Sequence, residues 1–575
     1  MSAKRRLTSW VILEVCLGPA AHNAGAAKKA PLLKAPLLKA PLLKEPLLKE
    51  PRLKKSRCLN GFDAHRRAVS RWHRGGSNAI GRARPALGGM FAGLAQYAIL
   101  RRATELMGAK HWVLAGLIGL GLQVVTLIVF SGTAMAAVDG VLPSALQGVV
   151  SLNVGGKAYV ASDGRHFSHD NCDDRRIQTS RCADMASVKG TQHNPLYQTY
   201  RFGEQVHVFD VPDGDYAVTL HFAEPLDQAI GSRVFDVLIQ GQPIFQQLDV
   251  RANRDGHHQA ALSRTVDHIA VSDGRLKVEL KAVAGAPILS AIEAFKRVAL
   301  PDTAGRLIWS DEFDVARGDG RQAPRSDRWA IDIWPARKVN DEDQAYTGRP
   351  KNVRVDSGVL ILEAHQEAYQ DAQYTSARVH TKGLLDLQYG QIEVRAKVPR
   401  GQGTWPAIWM LPSNPFKFAT TCDASVVEWQ GNADCDAWPN SGEIDVMEHV
   451  GFDPGVVHGT VHTKAYYWAN WNQHKGSIVL PDFDQFHRYQ LIWTADQITW
   501  LVDDIPYFSY VRESQDWAAW PFSEPFHLIL NLAIGGNWGR AGGPIDNQAL
   551  PARMEVDYVR VYALEPDGSK PSAPE

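Results

Sequence analysis

The chain of 575 residues holds only six cysteines and eight methionines, and no cysteine spacing in it suggests a zinc site. Across residues 306–563 no long amphipathic helical pattern occurs, which argues against a helical bundle there. Positive charge is scarce beyond the first 110 residues. That leader carries 22 Lys+Arg against 5 Asp+Glu, leaving 40 against 57 in the remainder, a net charge near −17. Such an acidic body argues against a nucleic-acid partner and suits a neutral substrate better than a polyanion.

A length of 575 residues leads to an expectation of two or three domains. Residues 1–106 are basic and include, over 30–50, a repeated unit of Ala or Glu followed by Pro-Leu-Leu-Lys. Proline at every fifth position excludes helix interior and central strand, so this stretch reads as a disordered extension or a mis-assigned start. Met107-Gly108-Ala109-Lys110 then opens a short basic region. An apolar run over 113–130 follows, and it ends in Ala134-Met135-Ala136. Residues 107–136 thus read as a secretory signal with a small-residue cleavage site, giving a secreted, periplasmic or cell-surface protein. Left uncleaved, the same run would be long enough to anchor the chain in a membrane. Cys16 and Cys58 fall in the leader. Cys172 with Cys182 and Cys422 with Cys435 form two close pairs in the exported body, where an oxidising compartment favours disulfides.

Two all-β domains are expected. Over 146–298, alternating runs at 205–211, 216–223, 233–240 and 276–282 predict a sandwich, with Pro212-Asp213-Gly214-Asp215 as a hairpin turn. A linker at 299–305 leads to residues 306–563, with a tail at 564–575. Runs at 358–364, 389–398, 442–450, 457–463, 488–494, 498–503, 526–533 and 554–562 predict two curved antiparallel sheets of jelly-roll type. A cleft across a concave sheet would accept an extended polymer.

Gly442-Glu443-Ile444-Asp445-Val446-Met447-Glu448-His449-Val450 puts three carboxylates within six residues. Alternation places Glu443 and Asp445 on one face of a strand and Glu448 on the other. A β-bulge at Val446-Met447 would shift the parity and bring Glu448 back. The two glutamate backbones would then lie ~13 Å apart at ~3.3 Å per step. Their carboxyl groups could lean to about 5–5.5 Å, where one acid attacks an anomeric carbon and the other protonates the leaving oxygen. An acidic edge strand or a calcium site are the other readings of these acids. Trp405, Trp409, Trp438, Trp468, Trp471 and Trp538 crowd the surrounding sequence and would supply apolar platforms with a polar edge.

Two resemblances sharpen these expectations. Leu152-Asn153-Val154-Gly155-Gly156, Leu196-Tyr197-Gln198-Thr199-Tyr200-Arg201-Phe202-Gly203, His221-Phe222-Ala223-Glu224, Arg233-Val234-Phe235-Asp236-Val237 and Leu289-Ser290-Ala291-Ile292-Glu293 resemble a malectin-type carbohydrate-binding domain. That implies sugar binding through Tyr197 and Tyr200, although Pro225-Leu226 stands where the family has an aromatic pair. Trp309-Ser310-Asp311-Glu312-Phe313, Gly403-Thr404-Trp405-Pro406-Ala407-Ile408-Trp409, Gly442–Gly451, His458-Gly459-Thr460-Val461-His462 and Asn531-Leu532-Ala533-Ile534-Gly535-Gly536-Asn537-Trp538 resemble glycoside hydrolase family 16. The inserted Met447 points to its laminarinase branch. The resemblance implies Glu443 as nucleophile, Glu448 as acid/base and Asp445 as the carboxylate that tunes the nucleophile. It further implies substrate contacts at Trp405, Trp409, His462, Trp538, Arg378 and Asn340, with His462 beside the acid/base.

By the same resemblance, a structural calcium with oxygen ligands falls at Asp557 and Glu312, while the chemistry itself requires no cofactor. The expected protein is a secreted, monomeric, retaining endo-β-1,3-glucanase whose partner is a polysaccharide. Mixed-linkage glucanase, algal galactan hydrolase, transglycosylase and non-catalytic glucan receptor are the alternatives. The segment between Leu411 and Trp438 is longer than the family needs and would wall one end of the cleft.

Overall fold

The computed structural model describes residues 146–170, 172, 180–297, 305–314 and 322–564. The expectations for 1–106 and 107–136, and all but an end residue of the linker and tail, lie outside these residues. Among the described residues the fold is all-β, and no helix is long and apolar enough to cross a membrane.

The C-terminal body is two sheets packed face to face. The cleft sheet runs in the order Arg378–His380, Phe526–Ile534, Thr404–Pro412, Glu443–His449, Val456–His462, His474–Val479, antiparallel throughout. Its partner is built around Val359–Tyr369, Ala552–Tyr562, Gly390–Lys397, His487–Trp493 and Gln497–Val502. Period-2 alternation explains the layering. Ile408, Met410, Ile444, Val446, Val461, Leu528 and Leu530 point down from the first sheet to meet Leu360, Leu362, Ile392, Val394, Leu491, Trp493, Trp500 and Val556 of the second. All of these side chains are buried, and at roughly 1.5–3 kcal/mol each their burial is what holds the sheets together.

The N-terminal body is a second sandwich with its own core around Tyr216, Leu220, Phe222, Phe235, Val237, Val278 and Ile292. One turn departs from expectation. Gln205–Asp210 pairs with Arg275–Ala284, whereas Gly214–Ala223 pairs with Ala261–Val271 and Ala291–Arg297 in the other sheet. Pro212-Asp213-Gly214-Asp215 therefore carries the chain between sheets and is not a hairpin. Both strands it joins bury an inward face, and local turn chemistry cannot say which partner each strand takes.

The two sandwiches also share a sheet. Ala261–Val271 pairs in parallel with His474–Val479 through Thr265 opposite Ile478 and Val266 opposite Val479. The edge of the cleft sheet is thus covered, which removes a row of open backbone groups. Side chains fasten the joint. Gln192 exchanges two hydrogen bonds with the backbone of Val511, Ser477 donates to Ser263 O at 2.6 Å, and Arg264 reaches Ser477 and Asp453 at 3.2 Å.

Candidate active site

The acidic strand carries the bulge that parity requires. Ile408 opposes Met447 and Trp409 opposes Asp445, leaving Val446 without a partner on that side. On the other side Asp445 faces Thr460 while Glu448 faces His458. Val446 and Met447 both drop into the core, so Glu443, Asp445 and Glu448 all rise on the cleft face. Gly459 makes room beneath the bulge, since a Cβ there would stand 2.5 Å from Trp500 Cδ1. The indole of Trp500 fills that space and donates to the Asp445 carbonyl at 2.7 Å.

Two further indoles hold the glutamates. Trp438 Nε1 donates to Glu443 Oε2 at 2.5 Å, and Trp405 Nε1 donates to Glu448 Oε1 at 3.1 Å. Trp405 and Trp538 meet edge-on, with ring centres 5.6 Å apart. Trp409 donates to Asn531 Oδ1 at 2.7 Å, Asn531 donates to the Tyr346 hydroxyl at 3.1 Å, and that hydroxyl donates to buried Glu342 at 3.0 Å. This chain fixes the Trp409 ring from below. Trp405, Trp409, Trp438 and Trp538 are all half-buried, as platforms that present one side to a ligand must be.

The electrostatics separate the three acids. Burial raises all of them. Asp445 goes highest, well above the carboxylate range, because the charges of Glu443 and Glu448 add to its burial. Glu448 is pushed up to about 7 by burial and then by the charge of Glu443, against the Trp405 hydrogen bond and the nearby Lys475. Burial lifts Glu443 as well, but hydrogen bonds from Asp445 and Trp438 and the charge of Arg378 pull it back. Asp445 therefore holds a proton and shares it with Glu443, Glu443 is the acid best supported as an anion, and Glu448 keeps a proton near neutrality. Burial holds His462 down near 3, so its ring is neutral.

Placement of the other expected residues is mixed. His462 pairs with Glu443 across the strands and lies 3.4 Å from Asp445, so it attends the nucleophile end and not the acid/base. Ligand atoms of Glu443, Asp445 and His462 all fall within 4.8 Å of one another. His458 is the histidine opposite Glu448, and alternation from His462 could have found it. Lys475, opposite Thr460 on the same face, had no such signal.

Arg378 is a clamp and not an open subsite. It is buried between the rings of Trp334 and Trp409 at 4.3 and 4.8 Å and paired with Asp332 at 2.9 Å. Asn340 is exposed and its amide turns back to Glu342 at 3.3 Å.

Tyr197 and Tyr200 are 4% and 8% exposed and belong to the N-terminal core. The Tyr197 hydroxyl is bonded to His221, which contacts Glu293, itself gripped by Arg165. Neither ring forms an open sugar platform, because both are needed to fill the sandwich. Glu312 takes Arg560 in two contacts at 3.0 and 2.8 Å, and Asp557 accepts from Arg395 at 2.5 Å. Guanidinium groups occupy these oxygens, which does not fit a calcium cage.

Both cysteine pairs are disulfides. Trp429 and Cys435 of the segment spanned by Cys422–Cys435 cluster with Leu411, Ala437 and Ile529, and Trp409 and Trp438 pack against that cluster. It therefore backs two of the cleft indoles.

The profile of glycosyl hydrolases family 16 matches residues 340–560, and that of the malectin domain matches 148–292. A beta-glucanase of Rhodothermus marinus is 46% identical over 263 residues, covering 44% of this chain and 84% of that protein. Glucan endo-1,3-beta-glucosidase A1 of Niallia circulans is 37% identical over 285 residues, covering 46% of this chain but 38% of the longer relative. The X-ray structure of the laminarinase from Rhodothermus marinus shares 45% identity, covering 45% of this chain and 97% of that one, with a TM-score of 0.40. The chain belongs to glycosyl hydrolases family 16 and joins that catalytic body to a malectin-type domain.

Proposed function

We propose that the protein is an endo-acting hydrolase of β-1,3-glucan that works by double displacement with retention of configuration. The observation that carries this reading is the bulged strand, which puts Glu443, Asp445 and Glu448 on one face with separated proton affinities. Relatives named for β-glucan and 1,3-β-glucan cleavage support the substrate class.

In the first step Glu443 attacks the anomeric carbon as Glu448 gives its proton to the departing glycosidic oxygen. Asp445, protonated and bonded to Glu443, steadies the nucleophile and then eases its departure. Water enters, Glu448 takes its proton, and the oxygen displaces Glu443 from the sugar. Trp405 and Trp438 orient the two glutamates throughout. The reaction is written with the chain's own carboxylates and needs no cofactor. Export through residues 107–136 as a monomer belongs to the same proposal, and detection of Ala137 or Val138 as the first residue would check it.

The test is incubation with laminarin, lichenan, agarose and carrageenan, following reducing ends and product sizes. Fastest release from laminarin, with a ladder of short products, is expected. No release from any of the four would overturn the hydrolase reading, and preferential cleavage of a galactan would overturn the substrate.

A further inference from the structure

An aromatic ridge leaves the catalytic centre and ends on the other domain. Trp438, which donates to Glu443, meets Tyr467 edge-on with ring centres 5.8 Å apart. Trp468 and Trp471 follow on the same loop, their ring centres 6.5 Å apart, 45% and 37% exposed. Trp471 then meets His257 of the malectin-type domain with ring centres only 3.8 Å apart.

Two indoles left in water on one loop form a larger apolar surface than scattered exposed residues do, and such surfaces mark binding sites. Trp471 also holds a left-handed backbone with φ 56°, a conformation rare for bulky residues and found where the surroundings impose it. The loop is fixed by its own bonds. Asn472 donates to Ala465 O at 2.8 Å and accepts from Tyr467 N at 3.2 Å, while Ala465 N bonds Ala518 O at 2.8 Å. The domain that carries His257 is joined to the cleft sheet by strand pairing and by Arg264.

We propose that the polysaccharide path runs from the carboxylates over Tyr467, Trp468 and Trp471 and onto His257, so that the malectin-type domain extends the catalytic cleft. The occupant is the β-1,3-glucan chain itself, and the inference rests on that functional reading. Trp468 is the chain neighbour of Tyr467, which meets Trp438, and this placement beside the catalytic centre argues for the substrate over a separate ligand; the apolar faces of pyranose rings suit aromatic platforms with wet edges. With Tyr197 and Tyr200 buried in the core, the domain contributes through His257 and not through those tyrosines.

The test uses the full chain and two substrates, a long laminarin and an aryl glycoside of the β-1,3-linked disaccharide, which reports on the carboxylate site alone. Trp471→Ala and His257→Ala should each raise KM for laminarin about three- to tenfold, the effect of losing one aromatic contact. They should leave kcat/KM for the aryl glycoside unchanged, and Trp471→Phe should restore most of the laminarin KM. An unchanged laminarin KM, or an equal loss on both substrates, would overturn the extended path while leaving the enzyme a β-1,3-glucanase. Wild-type inactivity on both substrates would instead overturn the substrate reading, and this inference with it.

Discussion

Trp405 and Trp438 hold the two glutamates by single N–H bonds at 3.1 and 2.5 Å, and the consequences are readable in pH. Glu448 acts as an acid only while protonated, so the rate should fall as pH rises through about 7. Glu443 must be ionised, so the acid limb should lie above the ordinary glutamate range, in the direction its burial drives it. Trp405→Phe removes a bond that favours the charged form of Glu448, and the alkaline limb of kcat/KM should move upward. Glu448→Gln should abolish turnover of polysaccharide and stabilise the fold. A carboxyl raised by burial binds more protons folded than unfolded between its two pKa values, so the wild type loses stability as pH climbs through that window. The Tm advantage of Glu448→Gln should accordingly be small at pH 5 and larger at pH 8, by thermal denaturation.

At this scale the sequence was informative where side-chain parity decides. Three acids, one bulge and a buried opposite face follow from Glu443 to His449 alone. Which glutamate each of Trp405 and Trp438 would hold was not legible, and Lys475 gave no signal at all, because these residues come from other segments.

At the scale of elements, the bulge depends on what lies beneath it. Gly459→Ala would drive a methyl group into Trp500, and overpacking of this kind costs about 1–3 kcal/mol. A lowered urea midpoint is expected, together with a larger fall in kcat, since Trp500 bonds the Asp445 carbonyl. The Cys422–Cys435 disulfide closes a loop of sequence separation 13, worth roughly 3 kcal/mol by chain entropy. Replacing both cysteines by serine should lower Tm and, by loosening the cluster behind Trp409 and Trp438, raise KM for laminarin.

The twelve strands expected from alternation are present, most with boundaries within two residues, but Ala261–Val271, Ala291–Arg297, Thr404–Pro412 and His474–Val479 were not among them. Partnering was not legible. The turn at Pro212-Asp213-Gly214-Asp215 looks the same locally whether it makes a hairpin or crosses between sheets.

For the whole molecule, the shared sheet is the governing feature. Thr265 and Val266 pair with Ile478 and Val479 across more than two hundred residues of sequence, and no local pattern announces such a contact. Because this joint covers the edge of the cleft sheet, the two sandwiches should unfold in one calorimetric transition. Arg264→Ala would remove the contacts to Ser477 and Asp453 and should split that transition in two. A single unchanged transition in the variant would show that the backbone pairing alone suffices.

The central claim is that one bulged strand carries a retaining pair of glutamates, and anomeric configuration tests it most directly. Proton NMR of laminarin digestion should show the β-anomer of the new reducing end first, with the α-anomer growing in only by mutarotation. Initial appearance of the α-anomer would mean direct attack by water and would contradict the assignment of Glu443 as nucleophile.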